Sequence, residues 1–219
     1  MSFAQLSQLL LQGTLDTLYM TLVSTAIAYL IGIPLGVILV ITRRDGICPA
    51  PKTNAVLGTI VNIMRSVPFL ILIIVLIPFT RLVAGTSIGA TATIVPLIVG
   101  AAPFIARMVE SSLLEVDAGV VEAAQAMGAS PWQIVTKVLL KESVPSLVTG
   151  AAIALTTILG YSAMAGAVGG GGLGDLAIKY GYHRYQTDVL LLTLIILVLL
   201  VQVIQALGNA VAKRIDHRK

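Results

Sequence analysis

The sequence predicts an all-α membrane protein with five transmembrane helices. Three observations carry this: 57% of the 219 residues are hydrophobic, only 11% are charged, and the mean hydropathy is +0.98. A soluble domain normally carries about 25% charged residues. The chain reads as one transmembrane domain over residues 1–219, interrupted by a compact, half-polar segment from Val121 to Pro145.

A helix needs about 20 mostly apolar residues to cross the hydrocarbon core. Five stretches qualify: residues 15–41, 55–79, 87–108, 144–168 and 189–211. The first is too long for a signal-peptide core and has no positive region before it, so it is expected to stay as a membrane helix. Pro34, Pro68, Pro96 and Pro103 lie inside the first three. Membrane bundles tolerate such residues where neighbours re-satisfy the freed carbonyls. Gly32 and Gly36 form a small-xxx-small face suited to close helix contact.

Charge sets the orientation. Arg43, Arg44 and Lys52 follow the first span, Arg107, Lys137 and Lys141 follow the third, and Lys213, Arg214, Arg218 and Lys219 end the chain. These regions share one side of a five-span chain, while the other side has Arg81, Lys179 and Arg184. The positive-inside rule places the first set in the cytoplasm, with the N-terminus outside and the C-terminus inside.

Several chemistries are excluded. The net charge is +4, and no basic cluster is interleaved with aromatics, which argues against nucleic-acid binding. Cys48 is the only cysteine, and His183 and His217 are the only histidines, so no metal-ligand spacing exists. No cofactor motif is expected either. Gly169–Gly172 with Gly174 satisfies G-x-G-x-x-G. However, it follows a membrane span rather than a strand, and reads as a flexible turn or an outer docking surface. There is no G-x-x-x-x-G-K-[ST], so any coupling to ATP must come through another polypeptide.

The cytoplasmic segment, about residues 117–141, is built as helix, tight turn, helix. Asp117 is placed to cap a first helix and Gly128 to end it in the left-handed conformation. Ser130 with Gln133 forms a capping box, with Pro131 at the favoured first position. Val120, Ala124 and Met127 share one face of the first helix, and the alanines at 123, 124 and 126 keep it thin. Ile134, Val135 and Val138 make a stripe on the second. Periodicity fits two roles equally: a docking knob for a partner, or a hairpin lying on lipid headgroups.

Glu122-Ala123-Ala124, then three residues, then Gly128, resembles the "EAA" motif of ABC importer permeases. In that family this loop is the coupling helix that docks into the cytoplasmic ATPase. Val138-Leu139-Leu140 stands where the family carries I-x-L, and Lys141 stands where it carries proline. Arg65-Ser66-Val67-Pro68-Phe69, the run from Gly100 to Arg107, and Gly160-Tyr161-Ser162-Ala163-Met164 are similar to methionine importer permeases. The resemblance implies a type I importer fold and a homodimer bound to two ATPase subunits. It also implies an external binding protein or lipoprotein that delivers methionine, its derivatives or another amino acid. The coupling residues it implies are Glu122, Ala123, Ala124, Met127 and Gly128. Met164 becomes a candidate gate, with Tyr161 and Ser162 a turn away. Arg65, inside the second span, is a gating candidate or a side chain that snorkels to the interface.

Two other readings remain. A buried Ser162–His183 dyad would suit an intramembrane protease, but His183 falls in a polar loop among Tyr182, Arg184 and Tyr185. An ion-coupled secondary transporter would use intramembrane carboxylates, whereas Asp16, Asp175 and Asp188 all fall at or beyond span ends.

Overall fold

The computed structural model describes residues 3–215, and every regular element among them is helical. His217, Arg218 and Lys219 lie outside the described residues. The long helices are α1 (Phe3–Ile41), α5 (Ala90–Leu114), α9 (Val144–Ala165) and α11 (Thr187–Ile215). Shorter ones are α2 (Pro51–Ser66), α3 (Phe69–Val75), α4 (Ile77–Ala84), α6 (Ala118–Ala126), α7 (Pro131–Gln133), α8 (Leu140–Glu142) and α10 (Gly172–Leu176).

Four of the five predicted spans are helices of spanning length, and α1 begins well before residue 15. Hydropathy leaves out Gln5, Gln8 and Gln12, yet they continue the same backbone ladder, and Gln12 Nε2 donates to Asp16 Oδ1 one turn on at 3.0 Å. The span expected over 55–79, with Pro68 inside it, is present as a bent pair of helices. It is broken at Val67–Pro68, where α2 and α3 meet at 99°. Proline lacks the N–H that would continue the ladder and pushes the residue before it out of the helical region.

The described chain forms two compact units, one of residues 3–27, 67–101 and 154–206, the other of residues 28–66, 102–153 and 207–215. The core of the first includes Met20, Leu97, Ile158, Leu173 and Val189. Leu173 N–H donates to Thr17 Oγ1 at 2.9 Å, and Thr93 Oγ1 donates to Gly170 O at 3.0 Å. The glycine run is therefore packed inside this unit and is not a loose loop, although the turn reading holds. Gly169, Gly171 and Gly172 all adopt φ between 72° and 80°, a region costly for other residues.

The core of the second unit includes Leu39, Ile105, Val109, Leu113 and Ile134. The Gly32/Gly36 face packs as predicted: a Cβ at Gly32 would lie 2.6 Å from Ile105 Cγ2, and one at Gly36 2.7 Å from Ala106 O. Asn54 Nδ2 donates to Leu39 O at 2.6 Å, satisfying a carbonyl in the last turn of α1. Arg107 ties α5 to α2. Its Nη1 donates to Glu110 Oε2 at 2.6 Å and its Nη2 to Gly58 O at 2.9 Å. The two side chains are 24% and 14% exposed. We expect Arg107→Met to cost about 2–3 kcal/mol, because a largely buried carboxylate loses its partner. Adding Glu110→Leu should recover part of that loss. Thermal midpoints in detergent for the two variants check this; equal losses would mean that the pair is not coupled.

Candidate functional site: the capped knob and the α9 turn

The knob forms as its sequence signals require. Asp117 Oδ1 accepts from Gly119 N–H at 2.7 Å at the start of α6. Gly128 has φ 79° and donates to Gln125 O at 2.9 Å, while Ala129 N–H reaches Ala124 O at 3.0 Å. Both halves of the capping box are present, Ser130 N–H to Gln133 Oε1 at 2.8 Å and Gln133 N–H to Ser130 Oγ at 3.3 Å.

The second helix departs from expectation. After α7 the backbone runs as a π-helix over Ile134–Leu139 before resuming in α8. A π turn holds an extra residue, which shifts the buried stripe. Ile134, Val135 and Leu139 are buried, and Val138 is only half-buried. α6 packs on this π segment, and Ala124 is only 5% exposed. The proposed shared face of Val120, Ala124 and Met127 is thereby split. Ala124 faces the chain's own interior, while Val120 and Met127 face outward.

What the knob presents is Met127 at 82% exposure, Trp132 at 74% and Val120, with Glu122, Ala123 and Gly128 also exposed. Trp132 escaped the sequence reading. Its signal was its place directly after the Ser130-Pro131 cap, where side chains of the first turn project outward. Exposed Met and Trp clustered on a rigid element are the residue types enriched at interface hot spots. At the knob's base a cavity of about 330 Å³ is lined by Arg43, Asp45, Glu122 and Gln125 among apolar walls. Arg43 Nε pairs with Asp45 Oδ1 at 3.2 Å. Asp45's own backbone amide, then Arg43, hold this carboxyl below its ordinary value.

The candidate gate residues sit on α9 in the other unit. Tyr161 stacks on Phe69 with ring centroids 4.5 Å apart and planes within 4°. Ser162 is buried and its Oγ donates to Leu159 O at 2.8 Å, so the hydroxyl is spent on backbone. Met164 is 53% exposed. Arg65 belongs to the unit that carries the knob, where it is exposed in the last turn of α2. A cation there complements the α2 C-terminal carbonyls. Among the described residues no group of three or more His, Cys, Asp or Glu is arranged to hold a metal ion.

Helices long and apolar enough to cross a membrane, one broken pair and a capped, solvent-exposed knob define a multi-pass membrane protein. The chain belongs to the family of binding-protein-dependent transport system inner membrane components, whose profile matches residues 32–219. It is 54% identical to the probable D-methionine transport system permease protein MetI of Vibrio cholerae, over 99% of this chain and 96% of that one. It is 56% identical to the D-methionine transport system permease protein MetI of Escherichia coli strain K12, over 72% of this chain and 73% of that one. A chain in a solved inward-facing structure of the MetNI methionine ABC transporter superposes with TM-score 0.97 at 51% identity, covering 99% of this chain and 100% of that one.

Proposed function

We propose that this chain is the permease subunit of an ATP-driven ABC importer that carries methionine, as the D or L isomer, or its derivatives, into the cytoplasm. The observation that carries this reading is full-length similarity to a methionine transporter in a chain that also holds out a rigid, doubly capped knob. The subunit has no chemistry of its own. Two copies form the pathway, each knob docks on one ATPase subunit, and an external binding protein delivers cargo. Met127 and Trp132 are the apolar anchors of docking, with Ala123 and Gly128 allowing close approach. Glu122 and Gln125, with Arg43, offer polar contacts at the base cavity. Ala124 acts indirectly, by holding α6 on the π segment. Met164 gates the pathway at the dimer axis with Tyr161 a turn away, while Ser162 holds the α9 backbone and Arg65 serves the end of α2 in the other unit.

The charge distribution supports the orientation read from sequence. The unit with the knob holds every described Lys and Arg except Arg81, Lys179 and Arg184. The N-terminus then faces outward and the C-terminus inward. The test is purification of the chain from its native membrane in mild detergent, followed by reconstitution with what accompanies it. An ABC-type ATPase at one copy per permease, and ATP-dependent methionine uptake in the presence of the binding protein, are the expected results. ATP-driven uptake of a different amino acid would overturn the cargo. Uptake by the chain alone, driven by an ion gradient, would overturn the class.

A further inference from the structure

We infer that the permease itself holds a cargo site on the knob side of the membrane, in a groove of mixed polar and apolar lining between α5, α9 and α11, which takes a zwitterionic α-amino acid with an apolar side chain. This rests on the proposed import function and names where in the chain that function binds its cargo. The groove has a volume of about 590 Å³, within the ~300–1,000 Å³ of small-molecule sites. All of its lining lies in the unit that carries the knob.

Its chemistry matches an amino acid in three respects. Glu115, one residue past the end of α5, and Lys213, in the last turn of α11, line the same groove with opposite charge. Both are exposed, and neither makes a salt bridge among the described residues. A carboxylate and an ammonium that share a groove without pairing leave each free to meet the opposite charge of a ligand. Met108 lines the groove as an apolar, adaptable surface for the side chain. Thr149 and Asn209 complete the polar wall. Ser112 and Ser146 also line it, but Ser146 Oγ donates to Ser112 Oγ at 3.0 Å, so these hydroxyls satisfy each other as the floor.

The backbone preserves the opening. A Cβ at Gly150 would lie 3.0 Å from Met108 Sδ, so any side chain there would press Met108 out of its place.

The test is site-directed thiol protection in the complete transporter reconstituted in vesicles. Cys48 is exposed and is first replaced, Cys48→Ser. Thr149→Cys then reports on the groove, with Ser111→Cys, which also lines it, as a second reporter should the first fail to assemble. Saturating methionine without the delivery protein is expected to slow modification by a small thiol reagent about tenfold, a change corresponding to about 1.4 kcal/mol. Methionine methyl ester, which lacks the carboxylate, and the deaminated analogue, which lacks the ammonium, should protect poorly. Lys213→Met should erase the preference for acid over ester, and Glu115→Gln the preference for amine over deaminated analogue. A merely structural role for these residues would not produce that matched loss of selectivity. Unchanged labelling with methionine, or protection that survives both charge-removing variants, overturns the site. Methionine uptake by the unsubstituted transporter is measured in parallel, so that failure of the import reading is seen separately from failure of the groove.

Discussion

Gly166→Leu is expected to leave little folded permease in the membrane. Gly166 opens the 3₁₀ turn that follows α9, and a Cβ there would lie 2.2 Å from Gly174 C and 2.3 Å from Asp175 N. Gly174 is constrained in return, since its Cβ would lie 2.3 Å from Ala163 O. These contacts are backbone against backbone, with no flexible side chain to yield. All of α10 is buried beside this crossing, including Asp175, whose Oδ2 pairs with Lys179 Nζ at 2.7 Å. Overpacking normally costs about 1–3 kcal/mol, and a clash fixed by backbone on both sides belongs at or beyond the upper end. Even Gly166→Ala should lower the thermal midpoint by about 6–12 °C for a loss of about 3 kcal/mol in a chain of this size. Gly160→Ala is the contrast, because a Cβ there meets nothing within 4 Å. That change should be neutral or slightly stabilising by helix propensity. Detergent melting curves of the three variants decide the matter. Wild-type melting of Gly166→Ala would show that α9 and α10 do not cross this closely.

The second large effect concerns the knob, where two substitutions should fail in different ways. Met127→Asp places a charge on a side chain that is 82% exposed and contacts little of its own chain. The knob should keep its fold, and the loss should appear in docking. Removing an interface anchor costs about 2–4 kcal/mol, or roughly 30- to 1,000-fold in ATPase affinity. Ala124→Trp acts from within. Ala124 is buried against the π segment, so a Trp there must lift α6 away from it. Docking should fail in that variant as well, with the loop becoming sensitive to protease. The measurement is ATPase co-purification together with limited proteolysis of the loop between α5 and α9. Protease resistance in Met127→Asp and sensitivity in Ala124→Trp is the expected pattern. Normal ATPase binding by Met127→Asp would remove the knob's exposed face from the docking surface.

The contrast between these two residues shows what was legible in advance. Capping is local physics. Asp117, Gly128 and the Ser130–Gln133 box act within four residues of themselves, so their types and spacing specified the turn that the structure contains. Burial is not local. Val120, Ala124 and Met127 fall on one face by a 3.6-residue count, yet only Ala124 packs inward, because the neighbour that covers it is a π segment. Nothing in Ile134-Val135-Thr136-Lys137 distinguishes a π turn from an α turn, since both use the same residues with one bond shifted.

The spans divide along the same line. Length and apolarity determined that α1, α5, α9 and α11 are membrane helices, because an unpaired backbone is too costly in hydrocarbon for other conformations. Pro68 was visible in the sequence, but a proline within a span permits either a mild kink or a full break. The 99° turn followed from where α3 and Phe69 found their packing, with Tyr161 stacked on Phe69 and Gly100 close to the Phe69 ring. The glycines after α9 signalled a turn through their backbone freedom. Their burial was decided by Thr17 and Thr93, residues distant in sequence, together with the end of α9 at Ala163. By itself, then, the sequence determined that this is a membrane-embedded helical protein with a doubly capped knob, because apolar length and capping are short-range properties. Only the tertiary structure decided which knob residues are exposed, where the second span breaks, and that Glu115 and Lys213 line one groove. Those depend on which distant side chains come to share the same space.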